Sequence, residues 1–146
     1  MRISDIIGLR DRYIEECVNI RPSHMIELIA PYPVPLDDIR DMTARFVFAM
    51  KQSEIDNEVP SNASRHFGGI FFVEMDSEST RSLGVVSAPA FELKELIFRS
   101  EIIWDAICPG GSVVCKPIVF PSGHILYCTK EIRDESYDPL RVIFLP

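Results

Sequence analysis

An α+β domain with a five-stranded antiparallel sheet and helices on both of its faces is the fold class this sequence predicts. Three observations lead there. Apolar residues recur at spacings near three and four through residues 3–20 and 36–54, the period of an amphipathic helix. From Gly69 onward the apolar runs shorten to strand length and are separated by polar or Pro/Gly stretches, the pattern of hairpins. Two of those runs, 69–75 and 140–145, are apolar on both sides of the pleat, so both faces of the sheet need cover.

The first helix covers residues 3 to 20, with Ile3, Ile6, Ile7, Tyr13, Ile14, Cys17 and Val18 along one face, and Arg21-Pro22-Ser23 stops it. His24 to Ala30 is a short apolar run whose periodicity suits strand or helix. Pro31-Tyr32-Pro33-Val34-Pro35 is extended, because each proline fixes its own φ and disfavours helix at the preceding residue; it reads as a stiff connector rather than a proline-recognition ligand. The second helix spans about 36 to 54. Asp37 and Asp38 suit the positive end of its dipole, and Ile39, Met42, Phe46, Ala49 and Met50 form its buried stripe. The polar stretch from Ser53 to Arg65 is a loop.

Strand one is Gly69–Met75, Asp76–Arg81 is a polar hairpin loop and Leu83–Val86 is a short returning strand two. A third helix starts at Ser87 or Pro89, buries Leu93, Leu96, Ile97, Ser100, Ile103, Trp104 and Ile107, and ends at Pro109-Gly110-Gly111. Strand three is Ser112–Phe120, Pro121-Ser122-Gly123 is a tight turn, strand four is His124–Lys130 and strand five is Leu140–Leu145. The chain reads as one domain over residues 1–146, with N-terminal helices in 1–54 packing on a ββαβββ core in 68–146.

Short connections make the hairpins antiparallel, and a spatial order of 2-1-5-4-3 satisfies them. Pro117 cannot donate a ladder hydrogen bond, so strand three belongs at an edge; strand two, short and holding Gly84, suits the other edge. The third helix covers one face, and the N-terminal helices or a second subunit cover the other. This arrangement resembles the profilin-like plan shared by roadblock-type and PAS-like domains. The resemblance is one of topology and implies no functional residue.

Of the 146 residues, Lys and Arg number 15 and Asp and Glu 22, giving a net charge of −7 and a pI near 4.9. That field has the wrong sign for nucleic-acid phosphates or anionic lipid and the right sign for a basic protein partner. No apolar run near the N-terminus is long enough for a signal peptide and none reaches a membrane span, so a cytoplasmic location is expected. There Cys17, Cys108, Cys115 and Cys128 are reduced thiols, and the Asn62-Ala63-Ser64 sequon is without consequence.

In the expected topology the loop between strands one and two and the loop between strands four and five emerge at one end of the sheet. Glu74, Asp76, Glu78, Glu131, Asp134, Glu135 and Asp138 would then share a rim, diluted by Arg81 and Arg133. Such a rim suits docking of a basic protein, since complementary charge steers association; ordinary solvation of polar hairpin loops is the competing reading. A divalent-metal site is disfavoured because EF-hand spacing is absent.

The series Cys108, Cys115, His124, Cys128 has spacings too wide for a zinc knuckle, and buried cysteines usually serve as small hydrophobes. His124 and Cys128, four apart on a strand, stand about 13 Å from each other, too far for a nucleophilic dyad. His66 is a loop histidine. Gly68-Gly69 and Gly110-Gly111 are turns, not phosphate cradles. Lys94 and Arg99 alternate with Glu92, Glu95 and Glu101 as on a solvated helix face.

The sequence therefore points to a non-enzymatic protein-binding module without metal or cofactor, most concretely an acidic inhibitor or immunity-type factor that blocks a basic enzyme. Two other classes stay open: a sensor or scaffold subunit that forms a homodimer or holds a small ligand, and a cysteine-dependent enzyme or zinc protein.

Overall fold

The computed structural model describes residues 3–56, 66–133 and 137–146. Helical spacing of apolar residues produces α1 (Ile3–Asn19), α2 (Leu36–Asp56) and α3 (Leu93–Ile107). The strands are β1 (His24–Ala30), β2 (Gly68–Met75), β3 (Thr80–Ser87), β4 (Ser112–Pro117) and β5 (Val142–Leu145). A short helix α4 (Pro121–Cys128) and a single 3-10 turn (Pro139–Arg141) complete the elements. The fold class is the α+β one expected, with a five-stranded, wholly antiparallel sheet of order β4-β1-β3-β2-β5 and helices on both faces.

Within that order the expected run of strands two, one and five is present as β3-β2-β5, and 112–117 is an edge strand, as Pro117 requires. The remaining place belongs to His24–Ala30, which lies between β3 and β4. The segment expected as strand four is instead α4. Pro121 stands in its first turn, where a missing N–H costs nothing, and Ile125 and Cys128, three apart, are buried while Leu126 and Tyr127 face out. With β1 in the sheet, the segment before residue 54 supplies a strand as well as two helices.

The result is two interleaved β-α-β units, β1-α2-β2 and β3-α3-β4. Each crosses one antiparallel neighbour, and the two run in opposite directions across the sheet. Crossovers of one hand therefore put α2 and α3 on the same face, antiparallel to each other, and one core cluster joins both helices to that face. This differs from the expectation that α2 would cover the face opposite α3; α1 and α4 occupy that side.

Under α2 and α3 lie Ile26, Leu28, Phe71, Val73 and Val86, packed against Phe46, Met50, Leu96 and Trp104. The Phe46 ring meets Trp104 edge-on at 6.2 Å and Phe67 at 6.1 Å. The Trp104 indole N–H donates to the Ile29 carbonyl at 3.0 Å, fixing α3 to the end of β1. Under α1 and α4 lie Met25, Ile70, Phe72, Leu83 and Val85, against Ile6, Cys17, Ile125 and Cys128. Each such side chain contributes on the order of 2 kcal/mol by leaving water.

Gly84 is central, not at an edge. A Cβ there would stand 2.4 Å from the Phe71 ring, and Phe71 is its cross-strand partner. The glycine makes room for an aromatic ring across the pleat, a different reason for glycine in a strand from edge protection. Gly110, at φ +81°, turns the chain after α3 as expected. The proline connector is tied down: Val34 N–H donates to Thr80 Oγ1 at 2.8 Å, and that hydroxyl donates to the Val34 carbonyl at 3.2 Å.

Candidate protein-interaction surface

The hairpin turn Asp76–Ser79 joins β2 to β3. Its geometry comes from Asp76, whose carboxylate accepts the N–H groups of Glu78 and Ser79, each at 2.7 Å. Those donors hold the carboxyl below the usual carboxylate range. Glu74, one turn of the pleat earlier, lies on the α1/α4 face with its side chain 12% exposed and receives Lys130 Nζ at 2.6 Å. Lys130 also sits 3.6 Å above the Tyr127 ring. Glu131 pairs with Arg141 at 3.6 Å; burial, and after it the charge of Glu74, raises its carboxyl. Asp138 accepts the Leu140 N–H and so caps the 3-10 turn.

The hairpin end thus meets the chain after α4 through Glu74 and Lys130. Much of the charge expected on the rim is internally matched: Glu74 by Lys130, Glu131 by Arg141, and nearby Glu27 by Arg81 at 2.9 Å. Asp76 and Glu78 project into solvent. Asp134 and Glu135 lie outside the described residues, as does the Asn62 sequon.

The same end of the molecule carries a second group of acids. Ala30 pairs with Thr80 at the start of β3, and Val34 is bonded to Thr80, so the proline connector and the first turn of α2 stand beside the hairpin. Asp37, Asp38 and Asp41 are exposed there. Because α3 runs antiparallel to α2, its last turns, with Glu101 and Asp105 exposed, arrive at that end too. Arg45 is tied to Asp41 at 3.5 Å.

From this acidic pole an apolar groove of about 720 Å3 runs between the outer faces of α2 and α3. It is lined by Ala44, Arg45, Phe48 and Ala49 of α2 and by Ile102, Ile103, Ala106 and Ile107 of α3. Phe48 is 70% exposed, Ile55 68%, Phe98 63% and Ile102 55%. At the acidic end it continues into a pocket of about 370 Å3 bounded by Tyr32, Pro35, Asp38, Asp41 and Ile107. An exposed apolar strip of this kind, rimmed by polar groups, is the usual mark of a protein contact.

Sequence reasoning assigned the buried stripes of both helices and passed over this strip. Its signal is what remains after the stripes are removed: Phe48 and Ile55, seven apart on the polar side of α2, and Phe98 and Ile102, four apart on the polar side of α3.

A smaller cleft of about 510 Å3 opens between α4 and the β1/β4 edge, with Met25 and Glu27 below and Phe120, His124 and Tyr127 above. The cysteines do not assemble. Cys17 and Cys128 lie in the core beneath α1 and α4, and burial, the largest influence on each, pushes both thiols up to about 12. Cys115 packs toward the opposite core and burial raises it to about 11; Cys108 is buried against the Tyr32 hydroxyl at 3.4 Å. Cys115 and Cys128 are therefore on different sides of the sheet. His66 Nδ1 faces the buried Glu54 carboxylate at 3.3 Å, and that carboxylate also accepts the Phe67 N–H. Among the described residues no three His, Cys, Asp or Glu side chains are grouped to hold a metal ion, and no helix is long and apolar enough to cross a membrane. No protein-family model, curated protein or solved structure matches the chain.

Proposed function

We propose that the chain is a non-enzymatic protein-binding module for a basic protein partner, in its most concrete form an inhibitor or immunity-type factor that covers a basic enzyme. The observation that carries this reading is the exposed apolar groove between α2 and α3 opening into an acidic pole. Apolar area supplies contact energy, while the surrounding carboxylates steer a positive partner and reject negative ones. Asp76 and Glu78 at the hairpin tip extend that field; the matched Glu74 and Glu131 add less to it. The net charge of −7 acts in the same direction over longer range.

The test is affinity capture from the native host with wild-type chain, the Phe48→Glu/Ile102→Glu variant and the rim variant Glu78→Lys/Glu131→Lys, followed by reconstitution with the purified partner. A basic protein retained by wild type, lost by the groove variant and weakened by the rim variant is the expected result. A partner that binds all three equally removes the surface from consideration.

A sensor or scaffold role has one observation in its favour, the aromatic-walled cleft beside α4. A stoichiometric small molecule that co-purifies in native mass spectrometry, and is lost on Tyr127→Ala, would favour that reading instead.

A further inference from the structure

We infer that the occupant of the α2–α3 groove is an amphipathic helix of the partner, seated by its apolar face with its Lys and Arg residues directed toward Asp38 and Asp41; this rests on the protein-binding reading above. Shape, length and charge support it. The groove lies between two antiparallel helices, with Phe48 and Ile102 standing exposed beside it, a form that takes the apolar side of a third helix. Its lining runs from Ile102 to Ile107 along α3, roughly 8 Å at helical rise, and the pocket at Tyr32 extends it at the acidic end, enough to seat about two turns of a helix. A helix laid in a groove uses anchors at i, i+3 or i+4, and i+7.

The charge around the groove is asymmetric. Asp37, Asp38, Asp41 and Asp105 crowd the end where α2 begins and α3 finishes, and the guanidinium there, on Arg45, is tied to Asp41. The far end carries Lys94, with Arg99 held to Glu95 at 3.1 Å. A helix with cations at one end is therefore seated in one direction, and a second copy of a chain with net charge −7 brings the same sign.

The test uses the full chain and two fluorescein-labelled synthetic helices of about four turns. One is built of Leu and Lys with leucines along one face, and the other has Glu in place of every Lys. Fluorescence anisotropy should show saturable binding of the Leu/Lys helix, at least about tenfold weaker binding of the Leu/Glu helix, and loss of affinity with added salt. Phe48→Glu and Ile102→Glu should each abolish binding. Both add negative charge, so an association driven by charge alone would tighten rather than vanish. Asp38→Lys with Asp41→Lys should weaken the Leu/Lys helix about tenfold with an unchanged circular dichroism spectrum.

Equal affinity for the two helices, no saturation, or binding that survives Phe48→Glu overturns the inference. So does a concentration-dependent dimer in sedimentation that Phe48→Glu dissolves, which would seat a second copy there. A native partner that needs Phe48 but engages it through a strand or loop, by hydrogen exchange and cross-linking, sinks the helix and leaves the protein-binding reading standing. Indifference of both peptide and partner to Phe48→Glu sinks both.

Discussion

Gly84→Ala tests the packing of the Phe71 ring over β3 by the sign of its effect. Where the added Cβ meets open space, replacing glycine restricts the unfolded chain and stabilises by about 0.4–1 kcal/mol. In the observed sheet the added Cβ would stand 2.4, 2.6 and 2.9 Å from Cε1, Cδ1 and Cζ of Phe71, where carbon contacts normally lie at about 3.5–4.0 Å. Phe71 is fully buried between β3 and the α2/α3 layer, so its ring moves about 1 Å only by displacing other core atoms. Overpacking of this kind costs about 1–3 kcal/mol, and subtracting the entropic gain leaves roughly 1–2 kcal/mol of net loss. For a chain of 146 residues that lowers Tm by about 3–8 °C.

Urea unfolding followed in parallel by far-UV circular dichroism and by fluorescence of Trp104, the single tryptophan, measures the change. The double variant Gly84→Ala/Phe71→Leu should recover part of the loss, because the smaller side chain vacates the space the Cβ needs; two independent sites would be additive. A Gly84→Ala protein as stable as wild type, or more so, would refute the packing of Phe71 against Gly84.

The other predictions concern buried polar groups. Glu54→Ala leaves the buried Phe67 amide without its acceptor and should cost about 2 kcal/mol in chemical denaturation, whereas His66→Ala, at a mostly exposed ring, should cost little; equal losses would contradict the assignment. Trp104→Phe removes the donor to the Ile29 carbonyl and leaves a void beside α3, for about 2–3 kcal/mol, and an unchanged urea midpoint would refute the anchor. The buried Cys17 and Cys128 thiols are raised from about 9 to about 12. Between those values the unfolded chain has released a proton that the native state keeps. Stability fully present below pH 9 therefore falls as pH rises toward 12, by up to about 1.4 kcal/mol per pH unit for each thiol. Urea midpoints at pH 8 and 10 check this, and the decline should be shallower in Cys17→Ala; an identical slope there would contradict it.

Local chemistry made most elements readable in advance. Apolar spacing located α1, α2 and α3, Pro31–Pro35 marked the connector, the polar run Asp76–Arg81 marked the hairpin, and Pro117 sent β4 to an edge. Each of these signals acts within a few residues of chain, through φ restriction, a missing N–H or a repeating face. His24–Ala30 and 121–128 carry no such signal, since an apolar run of seven or eight residues fits either period. The free backbone edges of β3 and β4 and the open α1 face settle them, and those lie far away in sequence. Once β1 enters the sheet, α2 and α3 must share a face.

The groove follows from the same step. Phe48 and Ile102 are single off-stripe residues on separate helices, 54 positions apart in the chain, and nothing local ties one to the other. They become parts of one apolar surface because two same-handed crossovers lay α2 and α3 side by side. Periodicity tells which side of a helix is buried; what stands next to its other side is a long-range contact, and no window of sequence contains it.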